Sequence, residues 1–143
     1  MNPKESKLYG PNIEGNVTAV QWSNNGYYIA FGDDKSGIQI IGWSAAENDW
    51  IVRYENKNLI NGVITSISWS EDNKSLMVVG TGGTRAVAIK ADNGAKAGEI
   101  NGHSADVLCC QYHPAKPPRA ILSGQDMEIQ MYKGMILKLE KSV

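Results

Sequence analysis

The sequence feature that most constrains this chain is a hairpin pattern that occurs three times. In each copy, alternating apolar residues lead to an aromatic residue, a polar turn follows, and a second apolar run ends on glycine. The copies align on the aromatic residues Trp22, Trp69 and Tyr112. The second apolar runs end on Gly32, Gly80 and Gly124, and a third apolar run follows each of them.

The period of this repeat is about 43 to 47 residues, which accommodates about four strands and is typical of a β-propeller blade. A blade is a small antiparallel sheet with apolar residues on both faces, so it must stack on its neighbours. The pattern predicts strands near 17–22, 28–32, 38–43, 50–54, 64–69, 76–80, 85–90, 97–100, 107–112, 119–123, 128–132 and 135–139. We therefore predict an all-β chain: an incomplete β-propeller of three four-stranded antiparallel blades.

The predicted blades occupy residues 16–55, 62–101 and 105–140, and residues 7–9 would form a stray outer strand before them. No stretch keeps the apolar spacing of an amphipathic helix for three turns. Three blades do not close a ring, because propellers typically use about four to eight. The end blades would expose apolar faces, which favours self-association.

Composition argues against several classes of partner. Lys and Arg number 14 against 15 Asp and Glu, so the net charge of −1 gives no general attraction to nucleic acid or to an anionic membrane. No apolar run approaches the roughly 20 residues of a membrane span, and the N-terminus lacks a signal-peptide core, so a cytoplasmic location is expected. The neighbouring Cys109 and Cys110 would point to opposite faces of a strand and stay reduced.

The residues that could carry chemistry each have a simpler structural interpretation. The glycine-rich stretch 80–85 lacks the Lys-Ser/Thr and following helix of a phosphate loop. No Ser-His-Asp or paired-carboxylate arrangement stands out. The possible metal set has a spacing that fits no zinc pattern; it consists of His103, Cys109, Cys110 and His113. We therefore predict a protein that is not an enzyme and needs no metal or other cofactor.

The repeat resembles the WD-repeat family, although its sequence marks are incomplete. Gly102-His103 matches the Gly-His dipeptide that precedes the first strand of that repeat, in the third copy only. The Trp-Asp pair that ends the third strand is missing, and its places are assigned to Ile41-Gly42, Lys90-Ala91 and Tyr132-Lys133. The resemblance implies a structural hydrogen-bonded network in the third blade, formed by His103, Ser123, Asp126 and Tyr132.

Longer runs resemble the actin-interacting protein 1 family within the WD-repeat proteins. The run YYIAFGDDKSG at 27–37 is similar to a signature of that family, and 53–83 follows its third blade. The resemblance extends over about residues 8 to 139 and corresponds to blades two to four of the first of two seven-bladed propellers. It implies actin and cofilin as partners, filament disassembly as the function, and a place in the cytoplasmic actin cytoskeleton.

The same resemblance implies partner contacts in the third blade. A Lys-Phe pair of the family falls at Lys138-Leu139, and acidic turn residues fall at Gln125 and Asp126. Here Leu replaces the aromatic ring, and Gln removes a charge that a basic partner would need. Two interpretations therefore stay open: a segment that binds actin and cofilin, and a generic WD-repeat scaffold fragment without actin activity.

Overall fold

The structure is a computed structural model that describes residues 13–82, 86–134 and 138–142, the last of these by backbone alone. Within these ranges the chain forms strands and turns without a helix, and therefore without a helix that could span a membrane. The described strands form three separate four-stranded antiparallel sheets. This confirms the predicted all-β fold of three blades, while the strand predicted at 7–9 lies outside the described residues.

Each sheet is a meander whose strands pair in chain order. The first blade contains β1 (Val17–Trp22), β2 (Tyr28–Asp33), β3 (Ile38–Ser44) and β4 (Asp49–Asn56). The second blade contains β5 (Ile64–Trp69), β6 (Ser75–Gly80), β7 (Ala86–Lys90) and β8 (Lys96–Ile100). The third blade contains β9 (Val107–Tyr112), β10 (Arg119–Gly124), β11 (Ile129–Lys133) and β12 (Lys138–Ser142).

The turns after β1 and β5 share one design. The amide of Gly26 donates to the carbonyl of Ser23, and the amide of Asn73 donates to that of Ser70, both at 3.0 Å. Gly26 and Asn73 have φ of 74° and 59°, a left-handed conformation that glycine and asparagine tolerate best. The polar turn residues recognised in the sequence therefore close these two hairpins.

The last described strand runs from Lys138 to Ser142, and residues 135–137 of the strand predicted at 135–139 lie outside the described residues. Before them, Gly134 has a φ of 94°, and its amide donates to the carbonyl of Pro118 at 3.0 Å. This bond extends the pairing of β10 with β11 by one residue beyond Arg119 and Lys133. At the start of β12, Lys138 pairs with Lys133.

Strand pairing also corrects the alignment of the copies by one residue in two places. Ile41, Ile89 and Tyr132 occupy the same position in their blades, because each pairs with the same position of the second strand. In the second blade, the place of the Trp-Asp pair is therefore Ile89-Lys90 and not Lys90-Ala91. In the first copy, the residue that corresponds to Gly80 and Gly124 is Asp33 and not Gly32. Each of these three residues pairs with the first residue of its blade. Such a shift matters because neighbouring residues of a strand face opposite sides of the sheet.

The blades pack face to face, with β1 against β5 and β5 against β9. One apolar core lies between the first and second blades and includes Ala30, Ile40, Ile67, Trp69 and Ile89. A second lies between the second and third blades and includes Met77, Val79, Cys110, Tyr112 and Leu122. The second blade is therefore covered on both faces, whereas no other described strand lies on the outer face of the first or third blade.

Candidate functional site

Loops at one edge of the three sheets form a continuous structure that we call the loop rim. It consists of segments 34–37, 57–63, 81–82, 101–106 and 125–128. At its first junction, the Ser36 hydroxyl donates to the carbonyl of Gly62 at 2.9 Å. The amide of the next residue, Val63, donates to the Thr81 hydroxyl at 3.0 Å. The segment that connects the first two blades is thus hydrogen-bonded to one turn of each blade.

The connection between the second and third blades is held in the same way. Asp106 accepts a hydrogen bond on its carboxylate from the amide of Gly82, at 3.2 Å. Its backbone carbonyl accepts another from the amide of Gln125, at 2.9 Å. One residue therefore joins the turns of two blades, and the loop rim is hydrogen-bonded along its length.

The third-blade turn is organised around the buried carboxylate of Asp126. His103 Nδ1 donates to Asp126 Oδ2 at 2.8 Å, and the two side chains are 0% and 5% exposed. The amides of Ser104 and Glu128 donate to the same carboxylate at 3.0 and 3.2 Å. Burial tends to raise the pKa of Asp126, but these hydrogen bonds outweigh it, so the pKa lies below its usual value of 3.8.

Gln130 extends this network toward the aromatic residue. Its Nε2 donates to the carbonyl of Gly102 at 3.1 Å and to Glu128 Oε2 at 2.7 Å. The Tyr132 hydroxyl donates to its Oε1. A Cβ at Gly102 would overlap both Gln130 and Tyr132, so the space for this network requires the glycine of Gly102-His103.

The observed network differs in composition from the set that the resemblance implied. His103 and Asp126 are directly bonded, and Tyr132 joins through Gln130, which the sequence did not single out. No hydrogen bond among the described residues joins the Ser123 side chain to this network, and His103 Nε2 is buried without a partner there. The amide of Gln130 thus supplies the link to the aromatic residue.

The proposed partner-binding residues do not share one surface. Gln125 is exposed in the loop rim, whereas the carboxylate of Asp126 is enclosed by the network just described. Lys138 and Leu139 pair with Lys133 and Tyr132, toward the other end of β11. Four residue steps along a strand cover about 13 Å, so the two groups lie near opposite ends of the blade. The side chains of Lys138 and Leu139 are outside the described residues.

The first blade has its own polar centre, which sequence reasoning missed. Asp33 is 1% exposed, and its Oδ1 accepts hydrogen bonds from the amides of Lys35 at 2.9 Å and Gly37 at 2.6 Å. Its Oδ2 accepts a third from the amide of Gly15 at 3.3 Å. The signal was available, because an Asp followed by polar residues and glycine often accepts hydrogen bonds from the amides of its own turn.

The residue sets that could bind a metal are occupied by other interactions. In the described residues, His103, Asp126 and Glu128 bring ligand atoms within 4.8 Å of one another, but these atoms take part in the hydrogen bonds of the third-blade network. Cys110 is 3% exposed, and burial raises its pKa to about 12. The neighbouring Cys109 is exposed, as expected for adjacent residues on opposite faces of a strand.

Comparisons with known proteins agree with this architecture. The family described as "WD domain, G-beta repeat" matches residues 4–38. The chain is 31% identical over 140 residues to the 66 kDa stress protein of Physarum polycephalum, covering 97% of this chain and 23% of that protein. It is 32% identical over 143 residues to actin-interacting protein 1-2 of Arabidopsis thaliana, covering 99% of this chain and 23% of that protein. The chain is thus similar to WD-repeat proteins over nearly its whole length, and residues 4–38 match the repeat itself.

A third relative belongs to the same group. Actin-interacting protein 1 of Drosophila melanogaster is 31% identical over 125 residues, which cover 87% of this chain and 20% of that protein. The chain therefore spans roughly a fifth of the length of these relatives. The family match begins before the first blade and extends over β1 and β2 to the start of β3, although the Gly-His mark occurs in the third copy.

Proposed function

We propose that this WD-repeat segment is a non-catalytic scaffold that binds actin filaments and acts with cofilin in their disassembly, in the cytoplasmic actin cytoskeleton. The observation that carries the proposal is similarity over 87% to 99% of the chain to two proteins named as actin-interacting. Cofilin enters through the family resemblance of the longer sequence runs. No chemical step is required of the segment itself.

The geometry supports a role in binding because the loop rim is fixed before any partner arrives. Ser36, Thr81 and Asp106 hold loops of adjacent blades together, so little loop ordering accompanies binding. A scaffold of this kind acts by differential affinity. If it binds cofilin-decorated filaments or severed ends more tightly than bare filaments, it shifts the population toward disassembly.

Three residues are proposed as partner contacts: Gln125, Lys138 and Leu139. Gln125 is exposed in the loop rim, and Lys138 and Leu139 open the outermost strand of the third blade. Because these positions lie near opposite ends of the blade, a partner that reaches both must cover its outer edge. Asp126 is proposed to act indirectly, by positioning the turn that carries Gln125.

Cosedimentation with actin filaments, with and without cofilin, tests this function. We expect the chain to pellet with cofilin-decorated filaments, and we expect the double substitution Lys138→Ala with Leu139→Ala to weaken pelleting by about tenfold, as for a central interface pair. Lys90→Ala, at an exposed lysine of the second blade, is the control and should pellet as the unmodified chain does. Absence of any cofilin-dependent pelleting would reject the actin proposal.

A generic scaffold without actin activity is the second candidate, and the third-blade turn favours it. Gln125 carries no charge and the Asp126 carboxylate is enclosed, so these two positions offer a basic partner no exposed acid. The substitution Gln125→Glu separates the candidates. It should strengthen filament binding if a basic actin or cofilin surface contacts this turn, and it should change nothing if the segment serves another partner.

A further inference from the structure

Four Asn-Gly pairs occur in the chain, and this is the dipeptide in which asparagine deamidates most readily. They are Asn25-Gly26, Asn61-Gly62, Asn93-Gly94 and Asn101-Gly102. In deamidation, the backbone nitrogen of the glycine attacks the side-chain carbonyl carbon of the asparagine, and a glycine has no side chain to obstruct this approach. Because the four pairs are identical in sequence, differences in their reactivity must come from the structure around them.

The pair after β1 is held at both of its reacting groups. The amide of Gly26, which would be the nucleophile, donates to the carbonyl of Ser23 at 3.0 Å. The Oδ1 of Asn25 accepts hydrogen bonds from the Ser23 hydroxyl at 2.7 Å and from the amide of Tyr27 at 3.0 Å. This turn must therefore open before Asn25 can react.

The turn between β7 and β8 holds its pair in the same way. The amide of Gly94 donates to the carbonyl of Lys90 at 2.8 Å. The Oδ1 of Asn93 accepts a hydrogen bond from the amide of Ala95 at 2.9 Å. Asn93 is exposed, yet it is restrained as Asn25 is, so exposure alone does not make an Asn-Gly pair reactive.

The pair in the connection between the first two blades lacks these restraints. Asn61 is exposed in the loop rim. Neither its side chain nor the Gly62 amide makes a hydrogen bond with any part of the chain that the structure describes. The hydrogen bonds of this segment begin one group later, at the Gly62 carbonyl and the Val63 amide. Both reacting groups are thus available to each other.

We propose that Asn61 is a site of spontaneous deamidation, and that its isoaspartate product opens the first junction of the loop rim. The Gly62 nitrogen loses its proton and bonds to Asn61 Cγ, while Nδ2 leaves as ammonia and a succinimide ring remains. Water then opens the ring. Cleavage of the bond between nitrogen and Cγ gives aspartate, and cleavage of the bond to the main-chain carbonyl carbon gives isoaspartate. The reaction consumes one water and needs no oxidant or cofactor.

The remaining pair, in the connection before the third blade, is restrained at its side chain. Glu99 has a lowered pKa, first because Lys96 donates a hydrogen bond to its carboxylate and also because the Asn101 side chain does so. Formation of the succinimide at Asn101 has to break this second bond. Asn101 should therefore react more slowly than Asn61.

The isoaspartate product changes the backbone where the first junction begins. Its main chain runs through the former side chain, so one carbon atom is inserted before the Gly62 nitrogen. Gly62 has no room to absorb the change, because an added Cβ there would overlap Thr81. The bonds from Ser36 to the Gly62 carbonyl and from the Val63 amide to Thr81 depend on this position. The aspartate product keeps the backbone length and should keep both bonds.

Peptide mapping by mass spectrometry tests the site, with the full chain incubated at mildly alkaline pH and digested at mildly acidic pH. In the folded chain, Asn61 should deamidate at a rate close to its rate in urea. Asn25 and Asn93 should deamidate at least about tenfold more slowly in the folded chain than in urea, because their turns must open first. The control Asn61→Gln should lose this modification and keep the others, since its longer side chain would have to form a larger ring.

The proposal is overturned if Asn61 is protected by folding as strongly as Asn25 and Asn93 are. It is also overturned if all four pairs react in the native buffer at the rates that they show in urea.

Hydrogen exchange of the Val63 amide, followed by nuclear magnetic resonance, tests the effect on the loop rim. The isoaspartate form is separated by chromatography and identified by enzymatic methylation of its free α-carboxylate. Its Val63 amide should exchange at least about tenfold faster than in the unmodified chain. Asn61→Asp is the matched control, because it adds the same charge without lengthening the backbone, and it should keep the original protection. Equal protection in the isoaspartate form and in Asn61→Asp would contradict the opening of the junction.

Discussion

At the scale of single residues, the third-blade turn depends on one carboxylate. Asp126 accepts hydrogen bonds from His103, Ser104 and Glu128, and it is the point at which the loop before β9 meets the turn after β10. An acceptor with three donors is costly to remove, because all three donors lose their partner at once. The role of Asp126 is thus to position the turn.

The lowered pKa of Asp126 predicts a stability difference that depends on pH. A pKa below 3.8 in the folded state means that the charged form contributes stability above that value, and that this contribution is lost as pH falls through the folded pKa. The free energy of unfolding should therefore be lower for Asp126→Asn than for the unmodified chain at neutral pH, and the difference should shrink below pH 3.8. Urea unfolding at a series of pH values measures it.

The control for this titration is Asp92→Asn, at an exposed turn position. It should leave the free energy of unfolding close to that of the unmodified chain throughout. A pH-independent gap between Asp126→Asn and the unmodified chain would show that the Asp126 carboxylate is not held in its charged form by the network.

Motif knowledge predicted some of these residues and not others. His103 and Asp126 follow from the Gly-His mark and the polar turn, and they are in contact. Gln130 could not be selected because its side chain acts inside a strand, where alternation alone predicts only which face it occupies. Asp33 could have been selected from its turn sequence, because its carboxylate accepts hydrogen bonds from Lys35 and Gly37 of the same turn.

At the scale of elements, alternation and turn chemistry predicted the hairpins well. The bounds of β1, β5 and β9 coincide with the predicted 17–22, 64–69 and 107–112. The bounds of β4 were predicted less well, because Asp49–Asn56 is longer than the predicted 50–54 and pairs with the whole of β3. The extent of such pairing is not visible in the periodicity of one strand.

A pair of glycine substitutions tests blade packing at this scale. A Cβ on Gly32 would lie 2.9 Å from Cβ of Ile64 in the next blade, so Gly32→Ala should reduce the free energy of unfolding by about 1–3 kcal/mol through overpacking. Gly98 in β8 has nothing within 4 Å of the added atom, so Gly98→Ala should change it by no more than about 0.5 kcal/mol. Urea unfolding compares the two, and equal effects would contradict the close approach of the first two blades.

At the scale of the whole molecule, the described strands form a stack in which the second blade packs against the first and the third. The repeat was sufficient to predict the number of blades and their order. It could not predict the hydrogen-bonded loop rim, because bonds such as Ser36 to Gly62 join segments that the repeat treats as variable loops.

Native-state hydrogen exchange of the chain, followed by mass spectrometry, tests the central claim of a blade covered on both sides. Amides of β6 and β7, where Met77, Val79 and Ala86 are 0% exposed, should exchange most slowly and only through global unfolding. Amides of the first and third blades should exchange faster through local opening. Equal or greater protection in either end blade would contradict the stacked arrangement.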